Sequence, residues 1–148
     1  MSTQKQNETP AAGESLLDAL VPVAFVTMAV LNRIGPENDL SLTLIRLLGI
    51  LHDRRLRMVE LAHHLGLEKQ TVSGLIARAE KRGLVARAPN AEDRRAVDIF
   101  LTSEGAELIA RLRAQGQQAL APLTRSLSAA EQQRLQELLE RMLDAWHG

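Results

Sequence analysis

Apolar residues recur at helical spacing in two short, neighbouring segments near the middle of the chain. Each segment has them at i, i+3, i+4 and i+7: Met58, Leu61, Ala62 and Leu65, then Val72, Leu75, Ile76 and Ala79. This spacing predicts two amphipathic helices, over residues 58–65 and 68–82. Gly66 lies between them, where helices commonly end in a left-handed residue, so the pattern indicates a helix-turn-helix.

The pattern changes from helical to extended after Gly83. Residues 84–88 begin a predicted strand, residues 89–93 have turn chemistry, and apolar and polar positions then alternate as far as Leu101. The segment 84–101 is therefore predicted to be a hairpin, with Arg94 and Arg95 near its tip. A helix-turn-helix followed by such a hairpin is a winged helix, so the predicted fold class is mainly α with a small β-hairpin wing.

Residues 16–34 form an unusually apolar segment before this module. Its continuous apolar part spans about thirteen residues, and a stretch of that length is more often a buried helix than a membrane span. The acidic flank with Glu14 and Asp18 is unlike the start of a signal peptide. We expect a buried helix, with Pro22 as the position for a kink. Because this helix is apolar nearly all round, it needs cover on more than one side.

Three further helices are predicted from capping residues and apolar stripes. Ser41 can cap a helix that runs to about Asp53, and Thr102 can cap a long one that runs to about Ala121, before Pro122. Ser128 and Glu131 form a capping box for the last helix. The stripes are Leu40, Leu44, Leu47, Leu48 and Leu51; then Ala106, Ile109, Leu112, Ala119 and Leu120; then Leu135, Leu138, Leu139, Met142, Leu143 and Trp146.

These elements divide the chain into four parts. Residues 1–13 are predicted to be a disordered tail, 14–36 an N-terminal dimerisation helix, 37–101 the winged helix-turn-helix and 102–148 the C-terminal dimerisation helices, with a loop at 35–39. Apolar helices at both ends of a small chain favour a dimer, although packing within one chain is the alternative. The expected dimer contacts are Leu20, Val23, Leu135, Leu139, Met142 and Trp146.

The net charge is zero, from 18 basic and 18 acidic residues, which alone argues against a nucleic-acid partner. The distribution argues the other way, because ten basic residues face five acidic ones between Arg54 and Arg95. The alternative interpretation of this surplus is a solvated helix face on which the charges are unevenly distributed by chance. The chain has no cysteine, which excludes disulfides and thiolate chemistry. Its 148 residues suit one domain.

The outward face of the second helix of the helix-turn-helix carries side chains that suit DNA. If its apolar side is buried, the residues facing outward include Lys69, Gln70, Thr71, Ser73, Gly74 and Arg78. Gln70 can pair with adenine, whereas Lys69 and Arg78 suit phosphates. On the wing, Asp93, Arg94 and Arg95 are the expected contacts, with Arg95 in a minor groove. Asp93 would either orient Arg95 or close the turn.

Other chemistry has little support in the sequence. His63 and His64 are adjacent, and adjacent helical side chains diverge too far to chelate one ion together. No nucleophile elbow, glycine-rich phosphate loop or paired-carboxylate motif is present. We therefore predict no enzymatic activity, no cofactor and no metal.

The order of elements resembles that of the multiple-antibiotic-resistance regulator (MarR) family of bacterial transcription factors, from about residue 15 to residue 146. The specific motifs are Gly83-Leu84-Val85 with Arg87, then Asp93-Arg94-Arg95, then Leu101-Thr102 with Gly105. Residues 69–76, KQTVSGLI, also look like the family's recognition helix. The resemblance implies a cytoplasmic homodimer that binds a pseudo-palindromic DNA site, with no membrane partner.

The resemblance also implies a repressor that a small, often phenolic or anionic effector releases from DNA. The family's cleft would here involve Phe25, Val30, Ile50, Arg111 and Leu112, with Arg111 as the anion anchor. Gly74, Glu68 and Leu44 depart from residues frequent in the family. Gly74 and Glu68 favour the alternative function, a helical dimeric protein-interaction module that has lost DNA reading.

Overall fold

A computed structural model describes residues 12–148, which form six α-helices and three β-strands. In chain order these are α1 (Ala12–Glu37), α2 (Leu42–Ile50), β1 (Leu56–Arg57), α3 (Met58–Leu65), α4 (Lys69–Lys81), β2 (Val85–Pro89), β3 (Val97–Leu101), α5 (Ser103–Thr124) and α6 (Ala129–His147). The predicted tail lies outside the described residues except for its last two positions, 12 and 13, which belong to α1.

The core lies where α2, the helix-turn-helix, the sheet and the start of α5 meet. Its most deeply buried side chains are Leu47, Leu48, Leu51, Leu61, Ile76, Ile99, Val72 and Val85. The predicted apolar side of α2 is buried throughout, and the Ser41 hydroxyl caps this helix by accepting a hydrogen bond from the Leu44 amide at 3.2 Å. The α2 helix ends at Ile50, three residues before the predicted end, because the chain turns sharply with Asp53 at φ 59°.

The predicted helix-turn-helix is confirmed as α3 and α4. Gly66 adopts the left-handed conformation at φ 64°, which a residue without Cβ reaches at low cost. The Leu67 amide then donates to the Ala62 carbonyl at 3.2 Å and closes the turn. The two helices therefore have a fixed angle, and their apolar sides share one core.

The predicted hairpin is confirmed as β2 and β3, and the sheet has a third strand that was not predicted. The strand order is β1-β3-β2, with Leu56 opposite Ile99 and Val85 opposite Leu101. At two residues, β1 is too short to show a period-two pattern. It nevertheless joins the start of α3 directly to the wing.

Two other predicted helix ends are also wrong. The α1 helix continues through Gly35 and Pro36 to Glu37, because the turn is made later by Asp39 at φ 55° and the Leu40 amide donates back to the Gly35 carbonyl at 2.8 Å. The α5 helix passes Pro122 and ends at Thr124. Proline removes one backbone hydrogen bond there, but this last turn is exposed, so water can serve the carbonyl left without a donor.

The expectation of a buried N-terminal helix is wrong for the single chain. From residue 14 to residue 29 only Thr27 of α1 is partly buried. The helix is continuous across Pro22. By length and composition alone, Gly13–Glu37 could span a membrane, since an 18-residue window within it has a mean hydropathy of 1.8. The apolar side chains of residues 16–29 are not buried within the described part of the chain, whereas Ile34, near the end of the helix, is buried in the core.

The last helix, α6, also has an apolar face that is exposed in the single chain. Its capping box is confirmed, since the Ser128 hydroxyl accepts from the Glu131 amide at 3.1 Å and a Glu131 carboxylate oxygen accepts from the Ser128 amide at 2.9 Å. Its apolar stripe is predicted correctly but is not buried in the chain, with exposures from 38% at Leu138 to 84% at Trp146. Most of the apolar surface of α1 and α6 thus remains exposed in the single chain.

Candidate nucleic-acid interface

One face of α4 anchors the helix and the other is open to solvent. Val72, Leu75, Ile76 and Ala79 are buried in the core. The residues predicted to face outward are all exposed: Lys69, Gln70, Thr71, Ser73, Gly74 and Arg78. The α4 helix therefore presents a continuous polar surface from its first turn onward.

The N-terminus of α4 is not capped by a side chain. Glu68 has the extended backbone of a capping residue, at φ −67° and ψ 148°, but its carboxylate makes no capping hydrogen bond. Its side chain thus leaves the first-turn amides and the positive end of the helix dipole available to an external anion.

Asn90 and Asp93 shape the turn of the wing. The Asn90 side-chain oxygen accepts from the Glu92 and Asp93 amides at 2.9 and 3.0 Å. The Asp93 carboxylate accepts from the Arg95 amide at 3.1 Å, which supports the second of the two roles predicted for Asp93, closing the turn. Arg94 and Arg95 remain exposed on this fixed turn.

An open groove of about 780 Å³ connects α4 to the wing. Apolar and basic side chains line it together with one acidic one, and its lining residues are Arg57, Met58, Val59, Glu60, Lys69, Arg87, Arg95, Ala96 and Val97. The structure thus brings Lys69 and Arg95, 26 positions apart in the chain, to one concave surface. Arg57 was not predicted to belong here, although it ends a basic run, Arg54-Arg55-Leu56-Arg57, directly before α3.

Arg87, which the family motif identifies, has a structural partner. Its Nε atom lies 3.2 Å from a carboxylate oxygen of Glu80 on α4. Both side chains are partly exposed, so solvent weakens the pair, but it connects β2 to the C-terminal half of the helix. Arg87 is therefore partly neutralised within the chain, unlike the exposed Arg95.

A second concave surface lies on the other side of α4, against the start of α2. Its volume is about 530 Å³, and it brings Thr71 and Arg78 of the predicted set beside Arg82. The Arg82 guanidinium donates to the Asp39 carbonyl at 2.7 Å, so the turn after α1 orients it. Basic groups therefore flank the exposed face of α4 on two sides.

The structure does not bring the predicted effector residues together. Phe25 is 73% exposed, Ile50 belongs to the core and Arg111 faces solvent. A cavity of about 230 Å³ lies nearby between α1, α2 and α5, and Leu112 is the only predicted residue that lines it.

Arg113, rather than Arg111, is the basic residue of this cavity. It shares one helical face with Ile109, Leu112 and Gly116, which also line it. Arg111 precedes Leu112 directly, and the helical period turns it to roughly the opposite side of α5. The sequence signal for Arg113 was its spacing from those apolar residues.

Nothing between residues 12 and 148 points to metal chemistry. No group of three or more histidine, aspartate or glutamate side chains within this range is placed to hold an ion. The rings of His63 and His64 are 6.3 Å apart between centroids, as expected for adjacent helical residues that diverge.

The exposed polar face of α4 beside a basic wing defines a winged helix-turn-helix protein.

Comparison with known proteins agrees with this class. A family model described as "MarR family" matches residues 38–96. The chain is 28% identical over 131 residues to the homoprotocatechuate degradative operon repressor of Escherichia coli, covering 88% of each protein. It is 30% identical over 110 residues to the HTH-type transcriptional regulator YfiV of Bacillus subtilis, covering 72% of this chain and 69% of YfiV. Wild-type MarR of E. coli has 27% identity and a TM-score of 0.68, covering 93% of this chain and 99% of that one.

The chain belongs to the MarR family of transcriptional regulators. The resemblance predicted from its wing and recognition-helix motifs is thus confirmed, as is the winged-helix fold class. Because the members of this family are non-enzymatic regulators, the prediction that the chain is not an enzyme is confirmed as well.

Proposed function

We propose that the protein is a homodimeric, sequence-specific DNA-binding repressor that acts in the bacterial cytoplasm on a pseudo-palindromic operator. The observation that carries this proposal is the shared groove of Lys69 at the start of α4 and Arg95 on the wing. Two cationic groups on one surface, separated by a concave space, suit two grooves of one duplex.

In this function α4 enters a major groove, which is wide enough for one helix. Gln70 faces solvent and carries the donor and acceptor pair that reads adenine, and Thr71 and Ser73 add shorter polar contacts. Lys69 and Arg78 hold phosphates, which position the protein without reading sequence. Arg95 enters the neighbouring minor groove, where the negative potential is strongest if the groove is narrow.

The uncovered apolar faces of α1 and α6 support a homodimer. They include Leu20, Val23, Leu135, Leu139 and Met142, which are 38% to 44% exposed in the single chain, and Trp146. Apolar surfaces of this extent mark contact sites in soluble proteins. A second copy that covers both helices also accounts for the high hydropathy of α1 without a membrane, and it places two copies of α4 on one duplex.

The test is protection mapping on the DNA upstream of the protein's own gene. We expect two protected half-sites with centres about one helical turn, roughly 10 base pairs, apart. Replacement of Arg95 by alanine should weaken operator binding at matched salt while the dimer remains intact in light scattering. If the wild-type protein binds no duplex, the alternative protein-interaction module would be favoured instead.

A small anionic effector is the second element of the proposal. One relative is named as the repressor of a homoprotocatechuate degradative operon, and homoprotocatechuate is a small aromatic carboxylate. The cavity with Arg113 at its edge and apolar walls suits an anion of about this chemistry. Its 230 Å³ lie below the range of about 300–1,000 Å³ typical of ligand pockets, which favours a small molecule.

Thermal-shift screening with salicylate and homoprotocatechuate tests the effector site. We expect stabilisation of the wild-type protein, loss of it in Arg113→Ala, and retention in Arg111→Ala, which removes an equal charge from the opposite side of α5. A shift that Arg111→Ala abolishes and Arg113→Ala leaves unchanged would restore the family-based assignment. Absence of any shift would remove the effector without affecting DNA binding.

A further inference from the structure

Arg57 occupies the junction between the helix-turn-helix and the wing. It is the last residue of β1 and the capping residue of α3, with its backbone extended at φ −71° and ψ 156°. Its amide donates to a carboxylate oxygen of Glu60 at 3.1 Å, so the start of α3 is closed by Glu60. The Arg57 guanidinium is not needed for this cap and extends into the groove that Lys69 and Arg95 also line.

The side chain of Asn90 connects Arg57 to the wing. Its oxygen accepts from Arg57 Nη2 at 3.4 Å, in addition to the two amides of the wing turn. Its Nδ2 atom donates to the Asp98 carboxylate at 2.9 Å. Asp98 is also the cross-strand partner of Arg57 in the sheet. Asn90 therefore fixes the turn and limits the positions that the guanidinium can take.

The Arg57 guanidinium retains unused hydrogen-bonding capacity. A guanidinium has five N–H donors, and here only one makes a hydrogen bond, a long one, within residues 12–148. Arg57 forms no salt bridge in that range, whereas Arg87, in the same groove, is paired with Glu80. The carboxylates of Glu60 and Asp98 adjoin Arg57, but each is already an acceptor for another group.

The geometry of DNA indicates what an arginine at this position meets. A major and a minor groove are always separated by one sugar-phosphate strand. If α4 enters the major groove and the wing enters the adjacent minor groove, that strand must pass along the groove between Lys69 and Arg95. Arg57 lies on this path, and a guanidinium binds phosphate oxygens in bidentate geometry.

We propose that Arg57 is a phosphate-binding residue that holds the DNA strand between the two grooves, and that Asn90 is its positioning residue. This inference rests on the proposed function. It adds a contact that carries no sequence information and fixes the distance between the recognition helix and the wing on the duplex.

The experiment measures DNA affinity against salt concentration by fluorescence anisotropy, on the operator and on an unrelated duplex. Arg57→Ala should lower affinity about tenfold on both duplexes, the loss of one charge-assisted hydrogen-bonded contact. It should also reduce the slope of log K against log salt by about 0.9, the value for one phosphate. Arg57→Lys, which keeps the charge, should retain the slope.

Arg55→Ala is the matched control. It removes the same charge two residues away, but the Arg55 guanidinium lies over the Phe100 ring at 4.0 Å and does not line the groove. We expect an unchanged slope for this variant. Equal slopes for Arg55→Ala and Arg57→Ala would show that the change follows from the lost charge alone, regardless of its position, and would overturn the inference.

A double-mutant cycle tests the role of Asn90. If Asn90 positions Arg57, then Asn90→Ala should weaken DNA binding less in the Arg57→Ala background than in the wild type. An equal loss in both backgrounds would leave Asn90 acting through the wing turn alone and would refute its positioning role. If the wild type binds DNA and Arg95→Ala weakens this binding, but Arg57→Ala changes neither the affinity nor the salt slope, only this inference fails. If the wild type binds no duplex, the proposed function fails with it.

Discussion

The backbone carbonyl of Leu84 lies so close to Gly105 that a Cβ atom at position 105 would come within 2.0 Å of the oxygen. The same carbonyl accepts from the Thr102 amide at 3.1 Å, and the Thr102 hydroxyl donates to the Gly83 carbonyl. Gly83 itself ends the α4 region in the left-handed conformation, at φ 75°. The recognition helix, the wing and α5 are therefore joined at one backbone junction.

Gly105→Ala is expected to destabilise the protein by about 2–3 kcal/mol, because backbone rather than a flexible side chain must move to admit the methyl group. Chemical denaturation followed by circular dichroism measures the change. Gly116→Ala is the control in the same helix. A Cβ there meets nothing within 4 Å, so this variant should gain up to about 1 kcal/mol from helix propensity. Equal stability of the two variants would show that the junction can relax.

Thr102→Val tests the polar half of this junction. The hydroxyl donates to the Gly83 carbonyl and accepts from the Gly105 amide at 3.1 Å, so its loss should cost about 1–2 kcal/mol. Thr102→Ser keeps both hydrogen bonds and should cost much less. If valine and serine prove equivalent in urea denaturation, the hydroxyl contributes no stability to the α5 cap.

Local patterns account for what could be predicted. The helix-turn-helix and the wing follow from apolar periods of 3.6 and 2, and the caps at Ser41, Thr102 and Ser128 follow from residue type. The contact of Arg57 with Asn90 joins residues 33 positions apart, and no local pattern contains it. The end of α1 was missed because Asp39 makes the turn in a left-handed conformation, whereas Gly35 and Pro36, which were expected to lie in the loop, belong to the helix.

The exposure of α1 was not predicted from the sequence, for a different reason. Apolar periodicity indicates that a face is to be covered, but it does not distinguish cover by the same chain from cover by a second copy. Phe25, assigned to an effector cleft by family analogy, is 73% exposed in the single chain. The position of Arg113 in place of Arg111 could have been found from the helical spacing alone, since residues 109, 112, 113 and 116 share one face.

Acid pH is expected to lower the stability of the protein through His64. Its pKa is lowered from the ordinary value of 6.5, first by partial burial and then by the positive charges of Arg54, His147, His63 and Arg46. The unfolded chain takes up a proton as the pH falls below about 6.5, whereas folded His64 resists it. The stabilisation present above this value is therefore lost as the pH falls through the lower pKa of the folded state.

Urea denaturation at about pH 7.5 and about pH 5.5 measures this dependence. His64→Gln should flatten it. His52→Gln is the control, because its ring pairs with Asp53 at 3.0 Å instead. Unchanged pH dependence in His64→Gln would assign the acid sensitivity to another group. Since the His63 ring nitrogen lies 3.0 Å from the His147 carbonyl, loss of stability here would also release the end of α6 from α3.

Substitution of Gly74 by a basic residue is expected to increase the affinity for DNA. A Cβ at this exposed position of α4 meets nothing within 4 Å, so a longer side chain fits without rearrangement. Gly74→Lys should strengthen binding to any duplex and increase the salt slope by about 0.9, one phosphate contact. Gly74→Ala separates the two effects. It should stabilise the helix by about 1 kcal/mol without a change of slope. A slope that lysine leaves unaltered would place residue 74 away from the DNA backbone.

The uncovered stripe of α6 leads to the last prediction. Leu139, 40% exposed in the single chain, lies at its centre between Leu135 and Met142. In a dimer that buries this stripe, Leu139→Glu would place a carboxylate in an apolar interface, at a cost of several kcal/mol. The variant should be a monomer in light scattering at concentrations where the wild type is a dimer. The helical circular dichroism signal of the variant should be retained, because Leu139 lies outside the core of the single chain.

Gln136→Glu is the control on the exposed polar side of α6, where it adds the same charge beside Glu140. It should remain dimeric. A monomeric Leu139→Glu protein should also lose operator affinity by far more than Arg95→Ala does, because each half-site is then bound alone and the effective concentration of the second α4 disappears. Retention of the dimer in Leu139→Glu would exclude this face of α6 from the interface and would require the two copies to pair through another surface.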